Sequence, residues 1–314
     1  MRYAIILCFA ISVAAGAAAA EWWDDAKGEV LEAARKQLDD VKSRTLGEAE
    51  GKLITTEETA GSFAVTNWTD QYVEVTAIAT ADPGRATSYA HALSLAETAA
   101  RAICQRKFIE QIAGVRVSSR ILLKDEMVRD GTLVTMTEGL IVGAKEVKIT
   151  HEELGDGSVL CTMTMGLLLT TSSGVMKLAE YERANNPSAY DTYAPAKAAA
   201  PNKKYTGVIL DASALDVVPA LLPNVFAEDG KVVYGAQILD NELLLKQGTS
   251  TYARSIQEAM ASRAGQEPFI VKVLKAVGET ACDLMIPDNI ADVLFGLEKE
   301  TGVMSQGRVV ILTR

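Results

Sequence analysis

Residues 88–113, SYAHALSLAETAARAICQRKFIEQIA, constrain the fold more than any other stretch. Ser88 is placed to start a helix and Gly114 to stop it. At about 100° per residue, Leu93, Ala96, Ala100 and Cys104 fall on one stripe, flanked by Ile103 and Phe108. Most of that stripe is small, so the helix backbone approaches whatever it packs on closely. The segments around it supply a sheet. QYVEVTAIATA before it alternates and is β-branched, and VRVSSRILL, TLVTMTEGLIVGAKEVKITHEE and VLCTMTMGLLL follow. The order predicts an α+β fold over residues 61–183, a long Ala-rich helix lying on an antiparallel sheet.

The same helix raises a chemical question. Cys104 has Arg101, Arg106 and Lys107 beside it in sequence, and nearby cations lower a thiol pKa and create a nucleophile. Helical geometry turns those three charges in other directions and leaves Cys104 on the Ala stripe. Cys161 shares a strand face with Val159, Met163 and Met165. Both cysteines are therefore expected at the helix–sheet interface, either as a disulfide stapling the two or as two buried thiols at different depths. Cys282 is the leftover. Three cysteines beyond the N-terminal segment make neither a disulfide framework nor a cysteine-only metal cage.

The chain begins MRYAIILCFAISVAAGAAAA, a charged start, an apolar run and small residues, which has the proportions of a secretory signal peptide over residues 1–20. Cys8 lies inside the apolar run rather than at its end, so the exported product is expected to be unlipidated. No later segment is long and apolar enough to span a bilayer. Residues 21–60 carry an amphipathic helix whose stripe is Ala26, Val30, Ala34, Leu38 and Val41, preceded by Trp22 and Trp23. Trp22, Trp23, Val30 and Leu38 are the candidate partner contacts, the alternative being packing on the chain's own body. Deleting residues 21–52 is expected to leave both domains folded. A formal net charge of −10 without a basic stripe argues against nucleic-acid and anionic-lipid partners.

Residues 184–204, ANNPSAYDTYAPAKAAAPNKK, read as a linker that resists regular structure. A second α+β domain with a mixed sheet is expected over residues 205–314. YTGVILDA, PFIVKVLKAVG, CDLMIP and GRVVILTR are its strands, NVFAEDGKVVYGA a hairpin turning at Asp229-Gly230, and TSTYARSIQEAMASRAG and DNIADVLFGLEKETG its helices. Asp211 and Asp216, in the loop after the first strand, are candidate ligand-loop carboxylates.

Catalytic and metal signatures are sparse. Two histidines, His91 and His151, belong to no metal-ligand spacing, GEAEGK is too short for a phosphate loop, and TSSGV lacks the glycine of a nucleophile elbow. No cofactor is expected, and the chain is expected not to be an enzyme.

The first domain resembles the module shared by the twenty-kilodalton Lpp lipoproteins and the N-terminal domain of flagellar assembly protein T (FlgT). Ala96, Ala100, Ile112, Gly114 and Val115 match its helix and turn. Gly139, Ile141, Gly143, Ala144 and Val147 match its next strand, and Asp156, Gly157, Val159, Met163 and Leu167 its last. The second domain is similar to uncharacterised envelope proteins carrying the same first module. The resemblance implies a non-catalytic periplasmic envelope protein acting as an assembly, scaffold or adaptor component, flagellum- or outer-membrane-associated, with envelope proteins or a second copy as partners. The alternatives are an envelope ligand-binding protein, for peptidoglycan or a small molecule, and a carboxylate-dependent hydrolase.

Overall fold

A computed structural model describes residues 28–81, 84, 86–115, 144–170, 191–195, 203–278 and 280–314. The expected strands within residues 116–143, and Trp22 and Trp23, lie outside the described residues. The fold is α+β, with an antiparallel sheet in the first half and a parallel and a mixed sheet in the second.

Helix α1 (Glu29–Glu48) is followed by strands β1 (Ile54–Thr59), β2 (Ser62–Asn67) and β3 (Tyr72–Ala81). Helix α2 (Tyr89–Ala113) comes next, then β4 (Lys145–Glu153) and β5 (Val159–Leu168). The five strands form one antiparallel sheet in the order β1-β2-β3-β5-β4. The sheet therefore begins at Ile54, ahead of the boundary the sequence suggests, because ITTEET pairs with SFAVTN residue for residue.

Period-two alternation sends alternate residues to opposite faces, and each face meets a helix. Val73, Val75, Ala77 and Ala79 of β3 join Val159, Cys161, Met163 and Met165 of β5 beneath Ala96, Ala100, Cys104, Phe108 and Ile112 of α2. Ser88 caps α2, accepting from the His91 amide. On the other face Phe63, Val65, Ile78 and Leu160 pack against Ala34 and Leu38 of α1. Leu38 is thus core of the chain itself rather than a free partner contact. Val30, half-buried, lies at the start of the same helix.

The second half contains β6 (Gly207–Asp211), β7 (Val225–Phe226), β8 (Val232–Tyr234), α3 (Asn241–Gln247) and β9 (Thr251–Ala253). A short helix α4 (Ile256–Ala259) runs into one wider turn, Met260–Ala264. Strands β10 (Pro268–Lys272), β11 (Lys275–Val277) and β12 (Asp283–Met285), helix α5 (Asp288–Thr301) and β13 (Val309–Leu312) complete it. One sheet is wholly parallel, in the order β10-β6-β13-β9; the other is mixed, in the order β11-β12-β7-β8. The helix expected over TSTYARSIQEAMASRAG is instead a strand followed by a short helix. Ser255 caps that helix, and Tyr252 is a buried strand residue whose hydroxyl donates to the Ala220 carbonyl at 2.9 Å.

Two departures from the expected linker and boundaries matter for function. Thr192 bridges Val232 in parallel, and the Tyr193 amide donates to the Val232 carbonyl at 2.8 Å. The Tyr193 ring is buried near Phe295, with its hydroxyl on Asp292 at 2.8 Å. So the stretch read as a linker carries an aromatic anchor. The two halves also meet directly. Trp68 stands edge-on to Tyr252 with ring centroids 6.3 Å apart, and the Gln71 side chain donates to the Ser250 carbonyl at 3.0 Å. Arg263 donates to the Gln71 side-chain oxygen at 3.2 Å and to the Gln247 carbonyl.

Candidate functional site

The sulfur of Cys104 faces the carbonyl oxygens of Val75 at 3.7 Å and Met163 at 3.5 Å. Met163 is two residues along β5 from Cys161, a step of about 7 Å, and of the two alternatives for Cys104 and Cys161, a disulfide or two buried thiols, the structure has the thiols. Burial raises both thiol pKa values, that of Cys161 to about 12. The charges flanking Cys104 in sequence have other partners: Arg101 pairs with Glu146 and Arg106 with Glu110.

Asp211 and Asp216 do not converge. Asp211 ends β6, and its carboxylate accepts from the Ser213 amide at 3.1 Å and the Ser213 hydroxyl at 2.6 Å, closing its own turn. Asp216 is exposed farther along the loop. Among the described residues no group of three or more His, Cys, Asp or Glu side chains is placed to hold a metal ion.

A polar cleft forms where the end of α2 overhangs the outer strands of the first sheet. Thr55 and Glu57 of β1 and Thr66 of β2 share the face toward α2, as the β1–β2 register requires. Glu110 and Gln111 lie on the last turn of the helix. With Trp68 they line a cleft of about 210 Å³, and Gly114 and Val115 close its end. Its polar groups are held by Lys107, whose side chain is 2% exposed. The Lys107 ammonium lies 2.7 Å from Glu57 and 3.4 Å from Glu110. Burying a charge this deeply is costly unless it is paired and hydrogen-bonded, and two carboxylates supply that pairing. Gln111 also donates to Glu57 and accepts from the Thr66 hydroxyl at 3.4 Å. The Trp68 indole N–H donates to the Thr55 hydroxyl at 3.2 Å. The cleft can bind by hydrogen bonds from fixed positions.

The cleft was not apparent from the sequence, where Lys107 reads only as one of three charges turned away from the Cys104 stripe. The sequence carried only part of the signal: TTEET puts Thr55 and Glu57 on one face, but nothing local joins Glu57 to Lys107, fifty residues on.

A second feature is the outer edge of the parallel sheet. The Thr206 amide donates to the Glu267 carbonyl and the Val273 amide to the Asp211 carbonyl, both at β6. Alternate residues of a strand address the same neighbour, so the backbone groups of Ile270 and Lys272 point away from β6. Ile270 is 47% exposed on this edge; Leu274, also 47% exposed, lies past the end of β10, where its amide donates to the Met285 carbonyl of β12 at 2.8 Å.

Residues 207–314 match the family described as Treponema pallidum Tp0624, second domain. The match begins at β6 and takes in both sheets of the second half, leaving Tyr193 and the first half outside it. No curated protein matches the chain.

Proposed function

We propose that the protein is a non-catalytic component of the bacterial cell envelope, exported to the periplasm, where it acts as an assembly, scaffold or adaptor protein. The observation that carries this reading is the outer edge of β10. It offers the outward backbone groups of Ile270 and Lys272 together with the exposed Ile270 side chain, and exposed Leu274 follows just past the strand end, the combination by which an extended segment of a partner adds to a sheet. The Lpp and FlgT-like spacing of the first half supports the same reading, and so does the acidic composition, net −10, which suits protein partners better than nucleic acid.

The test is crosslinking in cells. A photoreactive residue at position 270 or 274 of the full chain is expected to give discrete adducts with an envelope protein, and those of the position-274 probe are expected to be lost when Ile270→Lys is added. The same probe at Glu153, an exposed residue of β4, is expected to give none. Absence of adducts at 270 and 274, or equal adducts at all three positions, overturns the proposal. Fractionation of the same cells is expected to place the chain in the periplasm, and recovery with the cytoplasm overturns that part.

A further inference from the structure

We propose that the cleft between the end of α2 and the β1–β2 hairpin is a binding site for a small, neutral, polyhydroxylated ligand of about one sugar ring. This goes beyond the docking role of β10 and is independent of it.

Size excludes one class at once. The cleft is about 210 Å³, below the roughly 300–1,000 Å³ of sites that enclose drug-sized molecules. Charge excludes two more. Glu57 and Glu110 face the cleft and repel an anion. A cation finds both carboxylates already neutralised in part by the Lys107 ammonium, which is buried behind the lining and bridges them at 2.7 and 3.4 Å. What stays open to a ligand is a mixed set of neutral and acceptor groups. The Thr55 hydroxyl accepts from the Trp68 indole and still has its own proton to give. Gln111 uses one amide proton on Glu57 and retains the other. Each carboxylate has lone pairs beyond those that Lys107, Gln111 and Arg106 occupy. Hydroxyl groups, which donate and accept at once, complement such a set, and Trp68 supplies an apolar wall for C–H groups.

The donors and acceptors are also fixed before any ligand arrives. Lys107 is 2% exposed, and the Thr66–Gln111–Glu57 chain ties strand, helix and hairpin edge together. Prearranged groups bind without a further ordering cost.

The experiment is titration of the isotopically labelled full chain, followed by the Trp68 indole N–H resonance, which Trp68→Phe identifies by its loss. Probes are glucose, N-acetylglucosamine and glycerol, with methylammonium chloride and sodium phosphate as charged counter-probes. At least one neutral polyol is expected to give saturable shifts confined to residues 55–57, 66–68 and 110–115, with the counter-probes silent. Thr55→Val keeps the shape of an exposed strand residue, so the fold is expected to persist. It removes the hydroxyl and is expected to weaken binding about tenfold, the effect of one or two hydrogen bonds. The proposal is overturned if no neutral probe gives saturable shifts. It is equally overturned if a charged counter-probe reproduces them, or if Thr55→Val with a native spectrum binds unchanged.

Discussion

Burial holds the Cys161 thiol up at about 12, against an ordinary value of 9.0, and the same cause raises Cys104. Both side chains are fully buried, so iodoacetamide at pH 8 is expected to leave both unmodified in the folded chain and to label both in urea. Labelling at equal rates in the two states would refute their burial. A raised thiol pKa means that the fold favours the neutral form. Its contribution is whole below pH 9.0 and lost as pH climbs through about 12. Chemical-denaturation stability is therefore expected to fall over that window, and less steeply in Cys161→Ala. Glycine positions give a second prediction at this scale. A Cβ on Gly207 would lie 2.6 Å from the Ala264 carbonyl oxygen and 2.8 Å from that of Arg308. At Gly166 it would strike the Tyr72 side chain instead. Backbone cannot swing aside as a side chain can, so Gly207→Ala is expected to cost more than Gly166→Ala, which should lose about 1–3 kcal/mol by urea titration. The Cys104 stripe was legible because helical periodicity is local. The role of Lys107 was not, because its carboxylate Glu57 is fifty residues away and reaches it only through sheet pairing.

Helix α1 covers a face of the first sheet that the sequence left bare. Its apolar stripe is short, and acids and bases surround it, so periodicity alone could not decide between a partner and the chain's own sheet. The decisive information lay in β2, β3 and β5, whose second faces carry Phe63, Val65, Ile78 and Leu160. Leu38→Ala is expected to destabilise by about 2–5 kcal/mol, the usual cost of truncating a buried leucine, measured by urea denaturation. Deleting residues 21–52, expected from the sequence to leave both domains folded, uncovers those four side chains. The shortened chain is expected to aggregate or to bind hydrophobic dyes, and a monodisperse, dye-silent product would show that α1 is dispensable. The α2–sheet layer and the β7–β8 turn at Asp229-Gly230, where Gly230 has φ 82°, were readable because each depends on neighbouring residues. Strand β9 was not. Tyr252 fits a helical stripe equally well until β13 is known to lie alongside it.

At the scale of the whole molecule, Arg263 is the fastening between the halves. Burial lowers its pKa to about 10, so it stays charged at neutral pH while reaching Gln71 across the junction and Gln247 within its own half. Arg263→Ala is expected to cost about 1–3 kcal/mol and to separate calorimetric unfolding into two transitions, whereas one unchanged transition would show that Trp68–Tyr252 packing suffices. The single core cluster spanning Val75 and Leu210 could not be read from the sequence, since each half alone has a complete-looking pattern. Tyr193 carries the last consequence. It lies before residue 207, where the family match begins, yet it fills space beside Phe295 and satisfies Asp292. The border of the family match and the border of the packing around α5 therefore differ here. A fragment cut at residue 207 would keep every strand of the matched region and lose the plug that seals α5, whereas one cut ahead of Asp191 would carry its own seal.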